Sequence, residues 1–340
     1  MREIKYPVLV FIIILMSFGL SKESAILSQE LKKVGLINYG DLYNIDRIPY
    51  NLMFMNRDDS PYAILAEKSS QMLYLYSIED KPRLLNIYSC STGRVTGNKK
   101  EIGDHKTPEG IYYFEEIKED EELPEEYGVR AFVMNYPNKF DRLEQKNGYG
   151  IWLHATDEPD RAKLSNNTKG CIIVNNEDMI DLSNYISLNK TPIIIEKEIV
   201  YLYHEQTSDY KNEVKMFINK WLENWENRDI NEYMENYSEY FYSQKKNWKK
   251  WRNYKRELFN RYSWINVEVD DLSIIKKENN YVINFKQKFI SDQYSDQGVK
   301  KLYICKNNGE FKIIGEEWKP GPDVPIFAER NEEEVMSNGR

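Results

Sequence analysis

Two residues in the sequence have the types and the setting for nucleophilic chemistry. His154 closes an apolar run, Ile151-Trp-Leu, and Cys171 opens another, Ile172-Ile-Val. Sixteen polar, turn-rich residues lie between them. A histidine at one strand end and a cysteine at the start of the next can stand side by side in a sheet, joined by an active-site loop. An imidazole there can take the thiol proton, and a Cys–His pair is expected to hold a nucleophilic thiolate at neutral pH. Gly170 lets a substrate backbone come close. The amides of Lys169, Gly170 and Cys171 could face a developing oxyanion. Spacing alone does not separate this reading from a bland one, because a cysteine beside a glycine is ordinarily structural.

The elements that must position this pair are short strands. Apolar runs at Tyr62–Ala66, Gln71–Tyr76 and Leu84–Ser89 are separated by the turn sequences Lys68-Ser-Ser and Glu79-Asp-Lys-Pro. Further strands are predicted at Gly110–Phe114, Arg130–Met134, Gly150–Leu153, Gly170–Val174 and Pro192–Ile195, with a helix over Glu177–Leu188. Close spacing of this kind indicates an antiparallel, β-rich domain. Beyond residue 210 the period changes. Phe217, Ile218, Trp221, Leu222 and Trp225 follow helical spacing, and two more helices are expected at Asn231–Tyr240 and Gln244–Tyr262. Strands return at Ile265–Ile275, Tyr281–Ile290, Val299–Cys305 and Phe311–Glu316. Helices followed by a run of strands read as a separate α+β unit. No internal repeat is visible.

Bulk properties fit this division. The chain has 340 residues, which suggests two domains, and 41% are hydrophobic, enough for two cores. With 30% charged residues it is not a multi-span membrane protein, and a net charge of −8 argues against nucleic acid as a partner. Arg2 and Lys5 precede the apolar stretch Pro7–Leu20, which has the length of a secretory core and is short for a span. Gly19, Ser21, Ser24 and Ala25 offer small residues for cleavage, with an uncleaved anchor as the alternative. The protein is thus expected to be exported to the periplasm or cell envelope, touching membrane only through this N-terminal segment. Its three cysteines, Cys90, Cys171 and Cys305, form no disulfide framework, and three histidines leave little for a zinc site, so no metal is expected. Cys90 and Cys305 are expected to pack in cores.

The stretch Tyr149–Asp181 resembles the catalytic domain of the L,D-transpeptidase (YkuD-type) family. The matching positions are His154, Thr168-Lys-Gly170-Cys171 and Asn176-Glu-Asp178. Upstream, Ser91-Thr-Gly93 and Gly103-Asp-His-Lys-Thr-Pro-Glu-Gly110 match two more family motifs, as do Phe132–Pro137 and Gly150–His154. The resemblance covers about residues 62–195. It implies that Cys171 is the nucleophile and His154 the general base, acting without cofactor on peptidoglycan stem peptides. The bond attacked would precede the terminal D-Ala, and water or an amine would resolve the acyl-enzyme. Tyr136, Lys106 and Thr168 are the expected substrate contacts, with His105 beside Lys106 facing an anionic stem, and Gly170 and Lys169 line the expected oxyanion site.

The sequence departs from the family pattern at three places. Ala155 follows the histidine, so a backbone carbonyl rather than a hydroxyl is expected to orient the imidazole. Lys169 replaces the usual histidine of the cysteine motif. Ile173 stands where many transpeptidases carry arginine, which bears on how the substrate carboxylate is held and moves the sequence toward L,D-carboxypeptidases.

Residues 210–318 resemble the cone-shaped α+β domain of the nuclear-transport-factor-like superfamily, which is appended to cell-shape L,D-carboxypeptidases. The expected organisation is a signal peptide or anchor (1–25), a lead-in (26–60), a β-rich catalytic domain (61–200), the α+β domain (210–318) and a flexible tail (319–340). Residues 245–256 are basic and aromatic, suiting glycan strands or, more simply, an amphipathic helix with a packed Trp face and a solvated Lys face. Two rival readings are weaker. A non-catalytic peptidoglycan-binding scaffold would not need both His154 and Cys171, and a papain-like protease would carry its cysteine on a helix.

Overall fold

A computed structural model describes residues 47–158 and 160–321. The expected signal segment, most of the expected lead-in and most of the expected tail lie outside the described residues. The chain divides into two units between Thr207 and Ser208.

The first unit contains β1 (Arg47–Pro49), β2 (Tyr62–Glu67), β3 (Met72–Ile78), β4 (Pro82–Ser89), β5 (Gly110–Glu119), β6 (Arg130–Met134), α1 (Lys139–Leu143), β7 (Trp152–His154), β8 (Ile172–Ile173), α2 (Asn176–Ser183), β9 (Pro192–Glu196) and β10 (Tyr201–Tyr203). Eight strands form one mixed sheet in the order β4-β3-β2-β9-β5-β6-β7-β8. Strands β2 and β9 pair in parallel, as do β7 and β8. Every residue of β3 is buried, so its sequence MLYLYSI lacks the alternation of a half-exposed strand. Phe114, Phe132, Leu153, Ile172, Met179 and Leu182 belong to one core that also takes in Ile64, Leu73 and Ile193.

Local chemistry sets several boundaries that sequence patterns missed. Asn138 caps α1 by accepting from the amides of Phe140 and Asp141, and Asp141 returns a bond to the Asn138 amide. Helix α2 ends at Ser183, short of the expected Leu188. Within the lead-in, β1 pairs antiparallel with β10, Ile48 facing Leu202.

The second unit contains α3 (Ser208–Glu226), α4 (Ile230–Glu235), β11 (Tyr242–Ser243), β12 (Lys246–Asn247), α5 (Trp248–Arg261), β13 (Ile265–Lys277), β14 (Asn280–Ser291), β15 (Ser295–Asn307) and β16 (Glu310–Pro320). The last four form an antiparallel meander, and β16 carries the chain to Pro320, past the expected strand end at Glu316. Helix α3 buries Val214, Ile218, Trp221 and Trp225, a stripe at helical spacing. Asp229 caps α4, which stops at Glu235 because Ser238 N donates to Ile313 O on β16. The expected helix over Gln244–Tyr262 is instead a small hairpin followed by α5. Gln244 and Lys245 take left-handed backbone angles (φ 48° and 60°) to turn it, and Asn247 caps the helix.

Helix α5 presents Trp251, Lys255 and Phe259 inward. Lys255 Nζ lies 4.0 Å from the Trp225 ring centroid, on the wall of a cavity of about 290 Å³ that also touches Trp251 and Lys300. Lys249, Lys250 and Arg256 are exposed. The helical part of residues 245–256 is therefore amphipathic, except that Lys255 turns inward with the Trp face.

Candidate active site

Strand β7 lies between β6, antiparallel, and β8, parallel. Leu153 is level with Ile172 and His154 with Ile173. Cys171 is one residue before β8 and so comes level with Trp152. Residues two apart on a strand share a face, and so do residues level across a ladder. His154 and Cys171 therefore stand on one face at the end of the sheet. The expected side-by-side arrangement is present.

The cysteine loop is held from behind by the upstream motifs. Ser91 and Ile173 exchange two backbone bonds of 3.0 Å, and Gly93 bridges to Thr168. Thr107 Oγ1 accepts from Gly93 N and donates to Gly170 O, both at 2.8 Å, so one hydroxyl ties the two motifs together. Gln71 Oε1 accepts from the amides of Thr92 (2.9 Å) and Asn166 (3.0 Å). Asn176 links the start of α2 to Val129 N and to Asp157.

His154 is 4% exposed, and its Nδ1 lies 2.7 Å from Ala155 O. A carbonyl only accepts, so Nδ1 carries the proton and Nε2 keeps its lone pair. The backbone carbonyl expected to orient the ring is that of Ala155. Tyr127 packs over the imidazole with centroids 4.4 Å apart. Burial pulls the imidazole pKa down to about 4, aided by the Arg161 charge and opposed by the Ala155 and Tyr127 backbone.

The Cys171 thiol donates to Gly150 O at 3.5 Å. Burial pushes its pKa up, against the Trp152 backbone and the positive charges of Arg161 and Lys99. These directions run against the expected resting thiolate, because desolvation disfavours the charged form of each group. The imidazole is then already in the basic form, and proton transfer accompanies attack.

Three expected contacts are also revised. Gly170 N donates to Thr168 Oγ1 at 3.0 Å, so this amide is engaged within the turn, leaving those of Lys169 and Cys171 as the oxyanion candidates. Thr168 is buried and its hydroxyl donates to Cys171 O at 2.7 Å, so it shapes the turn. Tyr136 is buried against Tyr112, with its hydroxyl on Asn147 O at 3.0 Å, and it anchors the loop leading to Gly150. Lys106 is partly exposed. Its carbonyl would lie 2.9 Å from a Cβ added at Gly170, a packing contact behind the cysteine turn.

Tyr127, Thr107 and Arg161 were not anticipated. Thr107 was visible within its motif, whereas Tyr127 follows the acidic stretch Glu119–Glu126 and carried no periodic signal. Cys90 and Cys305 are buried, and no disulfide joins the three cysteines. Among the described residues no cluster of His, Cys, Asp or Glu could hold a metal, and no helix is long and apolar enough to cross a membrane.

Residues 61–195 match the L,D-transpeptidase catalytic domain family, and residues 213–317 match the Cds6 C-terminal NTF2-like domain. Bd1075 of Bdellovibrio bacteriovorus is 32% identical with a TM-score of 0.72, over 82% of this chain and 99% of its own. The helical cell shape determining protein Pgp2 of Campylobacter jejuni is 27% identical with a TM-score of 0.62, over 79% of this chain and 95% of its own. No curated protein sequence matches the chain.

Proposed function

Because this chain belongs to the peptidoglycan-modifying L,D-transpeptidase family, with a C-terminal NTF2-like domain, we propose that it cleaves the L,D bond before the terminal D-Ala of tetrapeptide stems through an acyl-enzyme on Cys171. The observation that carries this reading is the His154 Nδ1–Ala155 O bond on the strand beside Cys171, which orients a neutral imidazole on the nucleophile's face.

Nε2 of His154 takes the thiol proton as sulfur attacks the scissile carbonyl. The amides of Lys169 and Cys171 meet the developing oxyanion, where such donors are typically worth about 3–4 kcal/mol each. The tetrahedral adduct collapses as the imidazolium returns its proton to the leaving D-Ala nitrogen, giving a thioester. The same imidazole then activates the acceptor. Water as acceptor yields a tripeptide stem. Likeness over both domains to a cell-shape protein favours this trimming. An amine acceptor would use the same thioester to make a crosslink.

The site works in the periplasm or cell envelope, delivered by the apolar N-terminal segment. Purified protein incubated with defined tetrapeptide muropeptides tests the reading. Tripeptides and free D-Ala are expected, dimers would assign transfer to an amine, and unchanged substrate would refute the activity.

A further inference from the structure

A tetrapeptide stem ends in a carboxylate one residue beyond the bond to be cut. Ile173 is fully buried and offers that carboxylate no charge. The turn beside Cys171 does carry cations. Gly93 bridges in parallel to Thr168, so Arg94 and Lys169 leave the same bridge as neighbours. Arg94 N donates to Thr168 O at 2.8 Å, which fixes its strand against the cysteine turn. Both residues are exposed, and neither pairs with a carboxylate among the described residues.

Arg94 is also held in place by its head group. Its Nη2 lies 2.9 Å from His105 Nε2. A guanidinium can only donate, so Nε2 is the acceptor and the ring proton sits on Nδ1. That Nδ1 is buried without a partner among the described residues, and His105 adopts a left-handed backbone (φ 55°). An orphaned buried donor and a left-handed backbone at a residue with a β-carbon each cost stability. Such costs gather where a side chain must be held for a purpose. Here the contact holds one guanidinium on the segment whose backbone is bonded to the cysteine turn.

We propose that Arg94, aimed by His105 and assisted by Lys169, binds the C-terminal carboxylate of the stem peptide and so selects substrates with a free D-Ala end. This deepens the proposed function and rests on it. The reach is adequate. The carboxylate carbon lies within about 4 Å of the scissile carbonyl, and Lys169 is two residues from Cys171, at most about 7 Å along the chain. Arg94 is a binding residue in this scheme, and His105 is a positioning residue.

The test compares a tetrapeptide muropeptide ending in a carboxylate with the same molecule ending in a carboxamide. Turnover is measured with the full chain, and affinity by calorimetry with C171A, which reports binding whether or not turnover occurs. The acid is expected to be favoured on the order of 10- to 100-fold, the value of one charge-assisted contact. R94Q should abolish that preference by raising KM for the acid. H105A should weaken the same acid-to-amide ratio. Four results would overturn the proposal: no acid preference in the parent protein, equal losses for acid and amide in R94Q, an intact preference in R94Q, or a preference that vanishes only in R161Q. Cleavage of both substrates at equal rates would defeat this inference while leaving the proposed function standing.

Discussion

The Ala155 carbonyl accepts the Nδ1 proton of its neighbour His154 at 2.7 Å, so the general base is oriented by the residue that follows it. No side-chain orienter is needed, and substitution at Ala155 cannot remove the contact. The bond fixes one tautomer, while burial keeps the ring neutral.

That arrangement has a pH signature in stability. The folded imidazole pKa is lowered to about 4, below the ordinary value of 6.5. Between these values the unfolded chain binds the proton and the folded chain does not. Stability contributed at neutral pH is therefore lost as pH falls from about 6.5 toward 4, by up to about 3 kcal/mol. Urea unfolding across that range should show the slope, and His154→Gln should flatten it. An unchanged slope in the variant would place the titration elsewhere.

Thr168 is expected to act on activity through the turn. Thr168→Val removes the donor to Cys171 O and the acceptor for Gly170 N. Two buried backbone groups lose partners, costing about 2 kcal/mol or more. Thermal unfolding should report the loss, and turnover should fall at least tenfold as the cysteine turn loosens.

Gly170→Ala should be more severe. Gly170 has φ 132°, and a Cβ there would lie 2.9 Å from the Lys106 carbonyl oxygen. Backbone must shift, and the shift falls on the residue before Cys171. Activity should drop to background, with a lowered melting temperature. Full activity in this variant would mean that the turn is freer than its contacts imply.

In the C-terminal unit, Lys300 and Glu316 form a buried pair at 2.8 Å, and the Tyr237 hydroxyl also donates to Glu316. Glu316→Gln leaves the Lys300 charge buried against a neutral partner, at a cost of about 3–5 kcal/mol. Denaturant unfolding of the full chain should show this unit melting earlier.

Much of the site was legible in sequence because strand ends and motif order place His154 and Cys171. The rest depends on tertiary contacts that no local pattern encodes. Tyr127, which packs over the imidazole, follows an acidic stretch without periodicity. Engagement of the Gly170 amide depends on the rotamer of Thr168. The hairpin before α5 turns on Gln244 and Lys245, residues that carry none of the usual Asn-Gly turn signal. Strand β1 gains its partner β10 only once the chain has folded across more than 150 residues of sequence, since Ile48 faces Leu202.

The central claim is the acyl-enzyme on Cys171. Intact-mass measurement of the full chain during turnover of a defined tetrapeptide muropeptide tests it most directly. A covalent adduct equal to substrate minus D-Ala, mapped to Cys171 and absent in Cys171→Ala together with D-Ala release, is the expected result. D-Ala release at the parent rate by Cys171→Ala would contradict the account.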